Sequence, residues 1–158
     1  MAKDIRESKY GKYICTELKK GVKMPGYKGP QVIGQGYRDG YRMPLEHVIW
    51  MDEEVIPGAF YVECVWFWPT DKEDKGSPEP HTHDYDEVLG FFGTDPSDLY
   101  DLGAVIELYI DGERNLMNET FLAFIPAGVI HNPLNILKIT RPVFHFATAN
   151  GRKYTGQG

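Results

Sequence analysis

The sequence predicts an all-β fold, a sandwich or barrel of short strands, and three observations predict it. Polar and apolar residues alternate over AFYVECVWFW, so that Phe60, Val62, Cys64, Trp66 and Trp68 share one face. Turn formers are dense, with 17 Gly and 11 Pro in 158 residues, which favours short strands over long helices. No stretch carries the sustained 3.6-residue period of a long amphipathic helix.

The elements follow in order. Residues 3–20 are polar with scattered Ile5, Tyr10, Tyr13 and Ile14, and read as a short helix or extended arm. GVKMPGYKGPQVIGQGYRDGYRMP is rich in Gly, Pro and Tyr and reads as irregular chain. Tyr27, Tyr37, Tyr41 and the pair Val32-Ile33 call for some burial there. HVIWMD is a strand, EEVIPG a turn, and AFYVECVWFW the alternating strand. PTDKEDKGSPEP is polar and breaker-rich, hence an exposed loop. HTHDYDEVLGFF runs from turn into strand, and GTDPSDLYDLG is a long acidic loop. GAVIELYI is a strand, DGER a hairpin turn signal, and ETFLAFIPAG a strand ending in a turn. HNPLNI is a short connection and RPVFHFATA the last strand. The expected organisation is an N-terminal extension over residues 1–46, lying on the barrel or on a neighbouring subunit, a β-barrel over 47–150, and a polar tail over 151–158.

Composition narrows the partners. The chain is long enough to bury one proper core. A net charge of −6 without a long basic run speaks against nucleic acid or an anionic membrane as partner. No segment reaches the roughly 20 apolar residues of a membrane span. Cys15 and Cys64 form neither a CxxC pair nor a zinc-finger spacing. Together with the polar start MAKDIRESKYGKY, this makes the cytoplasm the expected compartment.

Two local patterns carry chemistry. P-H-T-H-D-Y-D-E presents His81, His83 and Glu87. Side chains at i and i+2 of a strand share a face, so the two imidazoles aim at one point, and Glu87 joins them if no bulge intervenes. P-A-G-V-I-H-N-P-L-N places His131 just after a tight turn at Pro126 and Gly128. Imidazole with carboxylate suits a divalent transition ion: Fe, Mn, Ni, Co, Cu or Zn. Three imidazoles and one carboxylate leave positions open, the mark of a catalytic ion rather than a structural one.

In this order the two patterns, HxHxxxE followed by Gly93 and then PxGxxHxxxN, resemble the two motifs of the cupin superfamily. The resemblance spans Phe60 to Ala147. It implies a cupin jelly-roll β-barrel holding one divalent transition metal ion through His81, His83, Glu87 and His131. The match departs at Gly76 and Gly93, each one place off, and at Thr120, where the second motif usually opens with glycine; these positions serve turns and not ligation. Small cupins are commonly dimers, so a homodimer is expected, with the Gly- and Tyr-rich segment as a candidate for exchange between subunits.

The resemblance implies a metal-dependent enzyme acting on a small organic molecule with adjacent oxygens. Retention of all four ligands tilts the expectation towards a non-haem Fe(II) dioxygenase. Non-oxidative Lewis-acid chemistry with Mn, Ni or Zn (isomerase, decarboxylase, hydrolase or lyase) stays open, as does a binding or sensor role without turnover. The discriminator is a proton-transfer base near the ion. Glu107 in GAVIELYI and His145 in PVFHFATA are the candidates, Glu107 because a lone carboxylate in an apolar run needs a reason. Tyr61, Glu63 and Tyr109 line the pocket only if their strand faces look inward. His47 has no ligand partner nearby in sequence and ranks below His145. Arg42 and Arg141 read as surface residues, and Phe92, Phe124, Trp66 and Trp68 as core or pocket wall. Asn135 reads as a turn former, and Cys64 as a buried small hydrophobe.

Overall fold

Alternation sets the burial of the strands Tyr61–Phe67 and Val143–Ala149, which are buried at every second position. The computed structural model describes residues 4–20, 37–38, 41–42 and 45–155. Most of the Gly- and Tyr-rich segment, with the expected burial of Tyr27, Val32, Ile33, Tyr37 and Tyr41 and the position of the Arg42 side chain, lies outside the described residues. The strands in chain order are β1 (Tyr37–Arg38), β2 (Tyr41–Arg42), β3 (Leu45–Met51), β4 (Tyr61–Phe67), β5 (Asp74–Ser77) and β6 (Glu87–Phe92). Then come β7 (Asp101–Ile110), β8 (Glu113–Glu119), β9 (Phe121–Ile125), β10 (His131–Ile139) and β11 (Val143–Ala149). The only helices among the described residues are two single 3-10 turns, Ile5–Glu7 and Gly11–Tyr13, where a short helix or arm is expected.

Nine strands form two antiparallel sheets, of order β5-β10-β7-β8 and β3-β4-β11-β6-β9. This is the double sheet of a jelly roll. This agrees with the expected all-β jelly roll; among the described residues the two sheets are not joined by continuous ladders into a closed barrel. Two isolated bridges, Thr70 with Ile139 and His81 with His131, tie intervening chain to β10 and its end.

The inner faces meet in one core. β4 turns Tyr61, Val65 and Phe67 inward, β11 Val143, Ala147 and Ala149, β6 Leu89 and Phe91, and β7 Leu102, Ala104, Ile106 and Leu108. The face of Val62, Cys64, Trp66 and Trp68 is therefore the outer one. Trp66 stacks on Trp68 with centroids 5.9 Å apart, and Phe124 is 61% and Phe92 36% exposed. These aromatics are outer-face residues, not core, and Cys64 is half-buried rather than a core residue. Period two identifies the two faces of a strand but not which of them meets the second sheet.

Two segments read as connections form strands instead. HNPLNI opens the nine-residue β10, and part of PTDKEDKGSPEP pairs along it as β5. Both owe their strand state to partners distant in sequence, which local turn chemistry cannot reveal. The hairpin signal at DGER holds: Asp111 (φ 49°) and Gly112 (φ 76°) form the two-residue loop between β7 and β8, both in the left-handed region such a loop requires.

Candidate metal centre

The two motif segments are stitched together by backbone. His81 and His131 exchange both N–H···O bonds (3.1 and 3.0 Å), and Gly128 N–H donates to His83 O at 2.8 Å. Gly128 has φ +80°, a conformation that L side chains rarely adopt, and Val129 N–H closes the turn on Pro126 O at 3.1 Å. Ala127 N–H donates to Asp86 Oδ1 at 2.9 Å, fixing this turn against the residue before Glu87. His131 thus leaves the turn aimed at the space between the sheets. Only Glu87 lies on a regular strand ahead of the turn; His81 and His83 sit in the bridging chain before β6.

The result is a compact cluster. Each of His81, His83 and His131 has a ligand atom within 4.8 Å of the others'. All three are at most 5% exposed. Their ring centroids stand 4.6–5.0 Å apart. Glu87, 3% exposed, places Oε2 3.2 Å from His131 Nε2 and 3.6 Å from His83 Nε2.

The second nitrogen of each ring settles its orientation. His81 Nδ1 donates to Glu79 O (2.6 Å), His83 Nδ1 to Thr155 O (2.6 Å) and His131 Nδ1 to Val129 O (3.1 Å). A carbonyl only accepts, so Nδ1 carries the hydrogen and Nε2 of a neutral ring presents a lone pair. Burial lowers the pKa of His81 and His83 and keeps both neutral. Nε2 of His83 and of His131 is buried and has no hydrogen-bond partner. Two buried lone pairs without a donor are costly, and three imidazoles fixed through Nδ1 with Nε2 convergent are the arrangement that metal-ligating histidines adopt. The residues present fit a divalent transition ion, and the buried His81, His83 and His131 group can hold one.

The structure sorts the remaining candidates. His145 lies inward, 7% exposed, its ring stacked 4.0 Å from Phe91 and its Nδ1 donating to Gly90 O at 2.9 Å. Burial lowers its pKa. Glu107 is not brought to the imidazoles. It sits on the face of β7 opposite the core residues Ile106 and Leu108, paired with Arg114 and accepting from Asn135 Nδ2 at 2.7 Å. The reason that an apolar run needed for its carboxylate is this pairing. Asn135 is therefore a strand residue bonded to Glu107, not a turn former. Arg141 pairs with Asp101. Tyr109 is half-buried on β7.

Sequence reasoning missed the pairing of His47 with Glu63, each of which it had weighed singly, and it missed Tyr154 altogether. His47 Nε2 lies 2.9 Å from Glu63 Oε2, both buried, on the interior of β3 and β4. Desolvation raises the Glu63 pKa, but His47, His145 and Tyr61 outweigh it and hold the carboxyl below its ordinary value. Tyr61 beside it is fully buried, and burial raises its pKa. In register, Ala147 separates Glu63 from Leu89 and Ala149 separates Tyr61 from Glu87, so two small residues lie between the carboxylates of β4 and β6. The signal for this pair was Glu63 on the same face as Tyr61 and Val65. The other missed group is Tyr154, in the stretch read as a polar tail. Its hydroxyl lies 3.2 Å from His81 Nε2 and its ring centroid 5.0 Å from that of His83. A single aromatic in GRKYTGQG was the available sign.

Comparison with known proteins places this architecture. No protein-family model matches the chain, and no curated protein matches it by sequence. Solved structures do match by fold. Oxalate oxidase in complex with the substrate analogue glycolate aligns over 99% of this chain and 68% of its own, at 13% identity and a TM-score of 0.50. An RmlC-like cupin from Shewanella frigidimarina aligns over 88% and 96% respectively, at 12% identity and a TM-score of 0.42. A DMSP lyase structure aligns over 61% of this chain and only 40% of its own length, at 12% identity and a TM-score of 0.37. Among the described residues no helix is long and apolar enough to cross a membrane.

Proposed function

We infer that this chain, whose fold is shared with oxalate oxidase and whose two motifs resemble those of the cupins, is a metal-dependent enzyme acting on a small oxygen-bearing organic molecule at the imidazole cluster. The observation that carries this reading is the pair of buried, unpartnered Nε2 atoms on His83 and His131, turned to one point with His81. In it, His81, His83 and His131 hold one divalent transition ion and Glu87 is the fourth donor. The ion would supply Lewis acidity and, as Fe(II), the capacity to engage dioxygen.

The rest is the work of the chain. The carbonyls of Glu79, Thr155 and Val129 keep each ring in its ligating tautomer. The aromatic wall of Trp50, Tyr61, Tyr85 and Tyr154 keeps bulk water from the imidazoles. His145, with His47 and Glu63, provides a proton-accepting group on the same interior sheet face. A non-haem Fe(II) dioxygenase is the finer reading. A non-oxidative isomerase, decarboxylase, hydrolase or lyase is the second, favoured by the buried His47–Glu63 pair, which is equipment for moving protons rather than electrons. A small-molecule substrate and a homodimer belong to the same proposal; a monomeric mass in solution removes the dimer.

The test is elemental analysis of untagged protein, paired with oxygen uptake in the presence of Fe(II) and candidate diketones, catechols and thiols. About one equivalent of iron with substrate-dependent oxygen loss is the expected outcome. One equivalent of Mn, Ni or Zn without oxygen loss selects the non-oxidative reading. Absence of metal after reconstitution overturns both.

A further inference from the structure

The segment after β11 reaches the imidazole cluster from outside it. His81 donates Nδ1–H to Glu79 O, so its Nε2 is an acceptor, and Tyr154 O–H, 3.2 Å away, is the donor. That single lone pair cannot serve a hydroxyl proton and a cation together. Metal loading therefore breaks the hydrogen bond between the Tyr154 hydroxyl and His81 Nε2.

The ring has contacts of its own. Tyr154 is wedged against Trp50 (6.2 Å, interplanar 78°), Tyr61 (5.0 Å) and His83 (5.0 Å). The next residue is held on both sides of its backbone: Thr155 N–H donates to Tyr85 Oη at 2.9 Å, and Thr155 O accepts from His83 Nδ1 at 2.6 Å. One histidine is thus fixed by the residue beside the one that caps another. Tyr154 is half-buried, whereas the three imidazoles are buried. Glu87 Oε2 lies beside His131 Nε2 and His83 Nε2, and the Tyr154 hydroxyl beside His81 Nε2.

We propose that Tyr154 is a ligand-contacting residue of the metal centre, its O–H passing from His81 Nε2 to an oxygen of a small chelating ligand when an ion is bound. This rests on the metal-binding reading above. The ligand class it selects is an oxyanion or enolate-like oxygen pair, because the Tyr154 O–H is a donor in a partly desolvated site.

The experiment compares wild type with Tyr154→Phe, which keeps the ring packing, using Co(II) and its visible bands. The probe ligand is acetohydroxamate, which offers two adjacent oxygens. A hydrogen bond of ordinary net worth corresponds to about 2- to 10-fold in binding. The expected result is Co(II) bound about 2- to 10-fold more tightly by Tyr154→Phe, since the competing donor is gone. Acetohydroxamate then binds Co(II)-loaded Tyr154→Phe more weakly by a similar factor. Co(II) affinity that is unchanged or lower, or acetohydroxamate affinity that is unchanged, overturns the role of Tyr154 while leaving the centre standing. Failure of both proteins to bind Co(II) overturns the metal reading and this proposal with it.

Discussion

His83→Ala and His47→Ala should separate ligand loss from stability loss, because the two residues are both buried but differently partnered. His83 Nε2 has no hydrogen-bond partner, whereas His47 Nε2 faces Glu63 at 2.9 Å. Ligand binding stabilises the native state by RT ln(1 + [L]/Kd), about 4.1 kcal/mol at a thousand times Kd. For a chain of 158 residues, at about 2–4 °C per kcal/mol, that is a rise in Tm of about 8–16 °C. Loss of outer hydrogen bonds to a metal ligand already costs about 10- to 100-fold in affinity, so loss of a donor atom should cost at least about 100-fold. At the same metal concentration His83→Ala then retains about 1.4 kcal/mol of stabilisation, or about 3–6 °C. His47→Ala strips the partner from a buried carboxylate, a change of about 3–5 kcal/mol, and should lower Tm of the metal-free protein by about 6–20 °C. Its metal-induced rise should stay at the wild-type value. Scanning calorimetry with and without Zn(II), plus metal analysis, reads both quantities. A full metal-induced shift in His83→Ala, or its loss in a folded His47→Ala, would refute the ligand assignment.

Three further outcomes follow from the geometry. Burial lowers the pKa of His81, His83 and His145 below the ordinary 6.5, so the unfolded chain takes up these protons first as pH falls. Stability should be full above that value and decline below it, by at most about 1.4 kcal/mol per pH unit for each group; a urea midpoint that holds steady from pH 7.5 to 5.5 would contradict this. Glu107→Gln should leave metal content unchanged while lowering stability, because Glu107 is paired with Arg114 and Asn135 on the far side of β7; parallel metal analysis and urea unfolding check both halves. Asp86→Ala removes the acceptor for Ala127 N–H in the turn leading to His131, and should weaken Zn(II) binding about 10- to 100-fold by isothermal titration; an unchanged affinity would show that the turn holds itself.

Much of the site was legible in the residues alone. His81, His83 and His131 were readable because ligation needs particular atoms, and the two motifs keep those atoms at short spacings from turn formers. The strands at AFYVECVWFW and RPVFHFATA were readable because alternation is local. What the sequence by itself determined was the fold class and the histidines that converge. Tertiary structure decided the rest. It turned Glu63 inward and Trp66 outward, since period two labels faces without saying which one a second sheet covers. It sent Glu107 to the face away from the imidazoles by the same choice. It made β5 and β10 from turn-rich chain, since their hydrogen-bond partners lie far away in sequence. It brought His47 to Glu63 across 16 positions and Tyr154 to His81 across 73. No local pattern records such a meeting; only the docking of distant strands places one side chain's donor atom against another's lone pair.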